Sequence, residues 1–223
     1  MSPIGIFGGT FDPIHYGHLR SAFELLQALS LTEVRFVPSG DPPHRGHTHA
    51  TARERFRMVE AAVAGQAGFT VDDRELRRDG PSYTVDTLTS YRQEHADDSL
   101  CLIIGMDAFL GLTSWHRWDE ILGLAHIVVA YRPGWTLPDT GELGELLTQH
   151  GTREAGDLHD KPYGRVYDHA VTQLEIASTE IRALIAAGRD PRFLMPDAVR
   201  DIIIASGCYQ EGESDLISGE NYA

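Results

Sequence analysis

Two histidines near the amino terminus, His15 and His18, are the residues whose type and spacing point most clearly to chemistry. They follow the double glycine Gly8-Gly9, which removes side chains where a main chain must approach an anion. Because the histidines are three residues apart, they share one face if the segment enters a helix. Two imidazoles on one face can stabilise charge on one bound group. The segment is therefore a candidate phosphate site.

The elements on either side of this turn suit such a site. The apolar run Ile4-Gly5-Ile6-Phe7 predicts a buried strand, and the apolar spacing from Leu19 to Leu29 predicts a helix. A strand, a glycine turn and a helix in this order present backbone N–H groups and the positive end of a helix to a phosphate. Asp-Pro is also common in ordinary turns and a histidine can cap a helix, so the segment alone leaves a structural role open.

Composition limits the partners and the location. The chain has 223 residues and a formal charge of 19 − 33 = −14, which argues against duplex nucleic acid or an anionic membrane as a partner. We find neither a secretory signal pattern nor an apolar run of membrane-spanning length, so we expect a cytoplasmic protein. Cys101 and Cys208 form no Cys-x-x-Cys pair and are expected to be free thiols.

The order of the predicted elements gives the fold class. Strands are predicted at Glu33–Pro38, 69–72, Leu100–Gly105, His126–Tyr131 and, as the last strand, 171–176; helices are predicted at 51–64, from Val85 to Tyr91, around 143–148, at 178–187 and at 197–205. This alternation predicts one α/β domain over 1–209, with a Rossmann-like parallel sheet, helices on both faces and a helical carboxyl-terminal part. The acidic tail at 210–223 is expected to be disordered.

Residues that follow the strands are the next candidates, because ligands of open α/β sheets bind at the carboxyl ends of the strands. Arg45 lies in the loop after the second strand, where a solvated loop charge and a contact to a phosphate both stay open. Ser82 or Thr84 caps the next helix, and an open helix start also accepts a carboxylate. Trp115 and Trp118 suit core packing, although one at the mouth of the sheet also suits stacking on an aromatic ring.

Two motifs carry a resemblance to a known superfamily. The stretch from Gly8 to His18 resembles the phosphate-binding motif of the nucleotidylyltransferase superfamily, which ends in His or Thr, any residue, Gly, His. The stretch from Ser178 to Arg182 resembles its second motif, with Ala177 where that motif often has serine. Within the superfamily the chain resembles the bacterial nicotinate-nucleotide adenylyltransferases over nearly its whole length. Further matches, in the same order, lie at 42–45, 81–84, 104–107, 114–115 and 132–134.

The resemblance implies transfer of the adenylyl group of ATP to nicotinate mononucleotide, with release of pyrophosphate, in NAD biosynthesis. It implies catalytic roles for His15, His18 and Arg182. The implied ATP contacts are Gly8, Gly9, Thr10, Phe11, His15, His18, Gly105, Asp107, Ser178, Thr179 and Arg182. The implied contacts to the acceptor nucleotide are Tyr83, Thr84 and Trp115, with Arg45 and Arg132 on the phosphate side.

This chemistry needs no nucleophile from the protein, since the acceptor phosphate attacks the α-phosphorus of ATP. Mg²⁺ is expected as a cofactor held mainly by the ATP phosphates and water, because no protein cage for a metal is evident. The expected partners are the two small-molecule substrates, with no nucleic acid and no membrane; a homo-oligomer stays open.

Two other functions stay open at this point. A sister adenylyltransferase could act on phosphopantetheine, although that acceptor has no aromatic ring and would leave Trp115, Tyr83 and Thr84 without a purpose. A regulatory module could bind a nucleotide without catalysis, although the presence of both histidines and Arg182 disfavours it.

Overall fold

The computed structural model describes residues 2–42, 48–131, 134–172 and 174–210. Within these ranges seven strands form one parallel sheet. They are β1 Ile4–Gly9, β2 Glu33–Pro38, β3 Phe69–Val71, β4 Leu100–Gly105, β5 His126–Tyr131, β6 Gly151–Thr152 and β7 Val166–Ala170, and their spatial order is β3-β2-β1-β4-β5-β7-β6. The predicted α/β fold class with a parallel sheet is confirmed.

Helices cover both faces of the sheet. They are α1 Tyr16–Ala28, α2 Ala52–Val63, α3 Arg74–Arg77, α4 Thr84–Glu94, α5 Met106–Leu110, α6 Gly141–His150, α7 Asp157–Asp160, α8 Ser178–Ala186 and α9 Asp197–Ser206, with 3-10 turns at Leu112–Ser114 and Trp118–Gly123. None of the helices in the described ranges is both long and apolar enough to cross a membrane.

The central strand β4 shows how the sheet separates two cores. Cys101 and Ile103 pack on the face that carries α1, α2, α8 and α9, whereas Leu102 and Ile104 pack on the face that carries α4, α5 and α6. This alternation follows from the period of two along a strand, and burial on both faces explains why the strand is apolar throughout. Cys101 and Cys208 are free thiols, as predicted, and burial raises the pKa of Cys101 to about 12.

The order of the strands reverses between β1 and β4. β2 and β3 follow on one side of β1, while β5, β7 and β6 follow on the far side of β4. The two strands pair in parallel register, with Ile4 opposite Leu100, so Gly8-Gly9 and Gly105 lie at the same edge of the sheet. The carboxyl edge at such a switch point is the usual ligand site of open α/β sheets.

The predicted last strand at 171–176 is wrong. The last strand is β7, which pairs with β5 from Ile127 opposite Val166 to Tyr131 opposite Ala170. β7 escaped prediction because Asp168 and His169 interrupt its apolar pattern. The chain leaves the sheet at Val171. The apolar alternation after β7 has another cause: Val171 packs in the core, and Thr172 and Leu174 line a cavity at the edge of the sheet.

Short elements in polar segments also escaped prediction, namely α3, α5, β6 and α7. The predictions for Arg45, Arg132 and the tail beyond Gln210 lie outside the described residues.

Candidate active site

Two adjoining cavities open at the carboxyl ends of β1 and β4. We call the larger one, of about 700 Å³, the histidine cavity after His15 and His18, and the smaller one, of about 480 Å³, the tryptophan cavity after Trp115. Both volumes fall in the range of small-molecule sites. Their shared wall comprises Phe7, Gly8, Gly9, Thr10, Gly105, Asp107 and Ala108. Two ligands bound in these cavities would therefore meet at this wall.

Glycine keeps the shared wall open. A Cβ atom placed on Gly8 or on Gly105 would meet no atom within 4 Å, so space lies in front of both residues. Because glycine has no side chain, the main chain at the ends of β1 and β4 stays accessible to a ligand.

The two histidine rings meet as predicted, although only one of them belongs to the helix. His15 is the extended N-cap of α1, and His18 is in its first turn. The ring centroids are 3.7 Å apart and the rings are stacked. The backbone N–H of His15 donates to Nδ1 of His18 at 3.3 Å, so a neutral His18 carries its proton on Nε2. Both rings line the histidine cavity.

Phe11 supports His18 from behind. Its backbone has a φ of +48°, and its side chain is only 3% exposed. The ring packs edge-to-face against His18, with centroids 5.2 Å apart, and against Phe7 at 5.7 Å. Phe11 is predicted as an ATP contact; it does line the histidine cavity, and its ring also packs against His18.

The start of α8 forms the opposite side of the histidine cavity. Ser178 and Thr179 line this cavity, and the N-cap residue, Ala177, supplies no capping side chain. The first N–H groups of a helix have no acceptor within the helix, and they form the positive end of its dipole. The starts of α1 and α8 therefore converge on the same space, which is an arrangement that attracts phosphate.

Hydrogen bonds fasten α8 to the turn after β1. Ser178 Oγ donates to the Pro13 carbonyl at 2.9 Å, and Arg182 Nη1 donates to the Asp12 carbonyl at 2.7 Å. Arg182 thus lies at the predicted turn, but it is not among the described residues that line either cavity.

Asp12 connects this turn to distant parts of the chain. Its carboxylate accepts hydrogen bonds from the backbone N–H groups of His49 and Ala50 and, at 2.7 Å, from the Tyr209 hydroxyl. Burial and the contact with Asp12 together raise the pKa of Tyr209. The residues after α9 are thereby anchored to the base of the histidine cavity.

Arg55 of α2 ties the turn after β1 to the loop after β2. Its side chain is fully buried and donates to the carbonyls of Thr10 at 2.7 Å, Ser39 at 2.6 Å and Gly40 at 3.2 Å. Burial lowers the pKa of Arg55, while Asp12 opposes that shift. No sequence pattern indicates this role, because an arginine in an amphipathic helix normally faces solvent.

The tryptophan cavity brings together Tyr83, Thr84 and Trp115, the residues predicted to contact the acceptor nucleotide. Tyr83 is the N-cap of α4 and Thr84 is its first residue, so this cavity also meets the start of a helix. The Tyr83 ring packs on the ring of His116, with centroids 4.3 Å apart. Trp118 packs instead against the core on this face of the sheet.

Glu75 of α3 is the unexpected group in the tryptophan cavity. Its side chain is buried, and its Oε1 accepts a hydrogen bond of 2.6 Å from Thr87 Oγ1. Burial raises the pKa of Glu75. Sequence reasoning missed Glu75, since α3 lies in a polar segment without helical periodicity; His116 could have been found from its place beside Trp115.

Metal ligands are sparse around these cavities. The described ranges contain no group of three or more His, Cys, Asp or Glu side chains arranged to hold a metal ion. Asp107, which is exposed on the shared wall, is the carboxylate common to both cavities.

The chain is similar in sequence to known proteins over most of its length. The cytidylyltransferase-like family matches residues 6–184. A protein from Aeromonas hydrophila named "Probable nicotinate-nucleotide adenylyltransferase" is 49% identical over 208 residues, which cover 93% of this chain and 97% of that protein. A protein of the same name from Acidithiobacillus ferrooxidans is 49% identical over 92% of this chain and 94% of its own. The chain belongs to the nicotinate-nucleotide adenylyltransferases of the cytidylyltransferase-like family.

Solved structures agree on the fold of this family member. The nicotinic acid mononucleotide adenylyltransferase of Plasmodium falciparum, complexed with NaAD, has a TM-score of 0.69 at 16% identity, covering 94% of this chain and 98% of that one. The same protein complexed with APC has a TM-score of 0.67. Every residue that lines the two cavities lies within the range matched by the cytidylyltransferase-like family.

Proposed function

We propose that this chain transfers the adenylyl group of ATP to nicotinate mononucleotide, which yields nicotinate adenine dinucleotide and pyrophosphate in NAD biosynthesis. The observation that carries the proposal is the pair of cavities that share one wall at the carboxyl ends of β1 and β4. One cavity offers imidazole and helix-start groups for phosphates, and the other offers aromatic rings beside a helix start. The names of the relatives point to the same reaction.

ATP is assigned to the histidine cavity. Its triphosphate would lie at the converging starts of α1 and α8, near His15, His18, Ser178 and Thr179. Because the chain carries a formal charge of −14, it must attract phosphates by such local groups and not by its overall field.

Nicotinate mononucleotide is assigned to the tryptophan cavity. The Trp115 ring would stack on the pyridine ring, and Thr84 with the N–H groups at the start of α4 would receive the pyridine carboxylate. Arg45 and Arg132, which lie outside the described residues, are proposed as contacts on the phosphate side.

The reaction joins the two ligands at the shared wall. A phosphate oxygen of the acceptor forms a bond to the α-phosphorus of ATP, and the bond from that phosphorus to the oxygen bridging it to the β-phosphorus breaks, so pyrophosphate leaves with the electron pair. His15 and His18 would donate hydrogen bonds to the phosphoryl oxygens as negative charge builds on them. Arg182 is proposed to assist from the base of the turn.

Mg²⁺ is the proposed cofactor, and it would neutralise charge on the triphosphate. The donor set fits an ion held mainly by phosphates and water, because the described ranges offer the exposed carboxylate of Asp107 and no cluster of protein ligands. We further propose that the chain works in the cytoplasm on these small molecules.

Pyrophosphate release from ATP tests the proposal when measured with a panel of acceptors. We expect the highest kcat/KM with nicotinate mononucleotide and a value roughly 30- to 150-fold lower with nicotinamide mononucleotide, since an amide mismatches donors aimed at a carboxylate. Phosphopantetheine should be inactive. Faster turnover of phosphopantetheine, or equal values for the two pyridine nucleotides, would contradict the assignment, and no release with any acceptor would favour a regulatory module.

A further inference from the structure

Glu75 places a carboxyl group in a cavity that, on the proposed function, binds an anionic acceptor. The residue is 7% exposed and lies in the wall of the tryptophan cavity together with Ser82 and Thr84. A carboxylate in this position would repel the nicotinate carboxylate, whereas a protonated carboxyl would not. The protonation state of Glu75 therefore bears on which acceptor the cavity prefers.

Hydrogen bonds hold this carboxyl group in place. Thr87 Oγ1 accepts a hydrogen bond from Arg78 Nη2 at 3.1 Å, so its own proton goes to Glu75 Oε1 at 2.6 Å. Ser82 Oγ accepts from the backbone N–H groups of Gly40 and Asp41, and its side chain also hydrogen bonds to Glu75. Because the hydroxyl oxygens of Thr87 and Ser82 both accept hydrogen bonds from other groups, each hydroxyl is free to donate its own proton to the Glu75 carboxyl group.

The main chain of α3 is fixed as well. A Cβ atom on Gly40 would lie only 2.4 Å from the Glu75 carbonyl oxygen, so the loop after β2 packs directly against Glu75. This close approach requires glycine at position 40 and leaves Glu75 little freedom to withdraw from the cavity.

Glu75 lies near the groups proposed to receive the pyridine carboxylate. Thr84, Thr87 and Leu88 line the cavity from one face of α4, because they are three and four residues apart. Thr87, the contact of Glu75, is thus about one helical turn, or roughly 5 Å of rise, from Thr84. Because Glu75 and Thr84 line the same cavity, a unit charge on Glu75 would change the binding of a second charge in that cavity.

We propose that Glu75 is a specificity-determining residue for the acceptor, and that the proton on its carboxyl group sets how strongly the cavity prefers nicotinate to nicotinamide. This inference rests on the proposed function. With the proton bound, the cavity accepts the nicotinate carboxylate; with the proton lost, it penalises that carboxylate but not the neutral amide.

The surroundings of Glu75 favour a proton that is lost only as the pH rises above the ordinary range of a glutamate. Burial raises the pKa of Glu75, while the hydrogen bonds from Thr87 and Ser82 and the charge of Arg78 oppose the rise. Burial would also raise the pKa of Asp72, but hydrogen bonds from Arg74 and Tyr91 hold it low, so Asp72 stays charged. The other charged or titratable groups that face Glu75 or share its cavity are Arg55, Tyr83, Asp107 and His116.

The test is the ratio of kcat/KM for nicotinate mononucleotide to that for nicotinamide mononucleotide, measured between about pH 5.5 and 9. Titration of the acceptor phosphate, ATP, His15 and His18 affects both acceptors and cancels in the ratio. We expect the ratio to fall roughly tenfold as the pH rises, because the ionised carboxyl group repels only the acid. In Glu75→Gln the ratio should stay at its high value throughout.

Three further variants test whether the fall of the ratio with pH comes from the Glu75 carboxyl group. His116→Gln should keep the fall, since the titrating group is not this imidazole, and Asp73→Asn, which removes an exposed carboxylate next to α3, should keep it too. Thr87→Val should move the fall to higher pH, because the ionised carboxyl group loses a donor while the side-chain shape is kept.

Each outcome decides the matter. A pH-independent ratio in the unmodified enzyme, a fall that persists in Glu75→Gln, or a fall that vanishes in His116→Gln overturns the role of Glu75. If Glu75→Gln does not fold, the profiles of the unmodified enzyme and of Thr87→Val still decide. An enzyme that turns over neither nucleotide overturns the proposed function itself, whereas a flat ratio in an active enzyme overturns only this inference.

Discussion

The histidine cavity and the tryptophan cavity share one wall but are built from different materials. The histidine cavity depends on the starts of α1 and α8 and on two stacked imidazoles. The tryptophan cavity depends on aromatic rings and on a buried carboxyl group held by hydroxyls. This difference predicts that charge stabilisation and choice of acceptor are separate tasks. Substitutions in the histidine cavity should lower kcat, whereas substitutions in the tryptophan cavity should change kcat/KM for the acceptor.

Removing either histidine should produce the largest effect. We expect His15→Ala and His18→Ala each to lower kcat on the order of 10²-fold or more, because each loses a donor to a charge that builds in the transition state. The KM for the acceptor should change little. His169→Ala, on β7 and outside both cavities, is the matched control. Near-normal kcat in both alanine variants, with unchanged circular dichroism, would remove the catalytic assignment.

Arg182→Lys should have the next largest effect and should also act on kcat. A lysine can keep one hydrogen bond to the Asp12 carbonyl, but it has no planar fork with which to reach a second acceptor. We expect turnover to fall roughly tenfold through the loss of a charge-assisted hydrogen bond. Steady-state kinetics at saturating ATP provide the measurement, and full activity would show that Arg182 serves only to fasten the turn.

Trp115→Ala should affect the other cavity. Loss of stacking should lower kcat/KM roughly tenfold for nicotinate mononucleotide and for nicotinamide mononucleotide alike, because the indole meets the ring that both share. The KM for ATP should stay unchanged in Trp115→Ala. Trp135→Ala is the matched comparison: because Trp135 lines the histidine cavity, this change should leave kcat/KM for the acceptors nearly as it was. A change in the ratio of the two acceptors would mean that Trp115 reads the substituent of the ring.

The smallest effect on catalysis, but a measurable one on stability, is expected for Tyr209→Phe. This change removes one hydrogen bond to the buried Asp12 carboxylate and leaves its two backbone donors in place. The free energy of unfolding should fall by about 1–2 kcal/mol, as measured by urea titration, with kcat nearly unchanged. An unchanged unfolding free energy would show that this contact does not anchor the chain after α9.

The two cavities also differ in how much the sequence reveals. The histidine cavity is built around a contiguous motif on a predictable strand, turn and helix, so His15 and His18 could be assigned to it directly. The tryptophan cavity was found only in part: Tyr83, Thr84 and Trp115 carry aromatic or helix-start signals, whereas Glu75 lies on a short helix without periodicity.

Charged side chains that the fold buries are also hard to predict from the sequence elsewhere in the molecule. Arg55 looks like any surface cation of an amphipathic helix, and only tertiary contacts show that it reaches Thr10 and Ser39. The prediction of the last strand is wrong for a related reason. The polar residues Asp168 and His169 interrupt the apolar pattern of β7, whereas the apolar alternation after β7 lies in a segment that has already left the sheet. Local pattern predicts elements well, but it does not report which polar groups the fold buries.

The fate of labelled phosphorus tests the central claim most directly. ATP labelled at the α-phosphorus or at the γ-phosphorus would be incubated with nicotinate mononucleotide, and the products would be separated. Adenylyl transfer across the shared wall predicts the α-label in nicotinate adenine dinucleotide and the γ-label in pyrophosphate, in equal amounts. The γ-label on the acceptor, or pyrophosphate release that does not depend on the acceptor, would contradict the account.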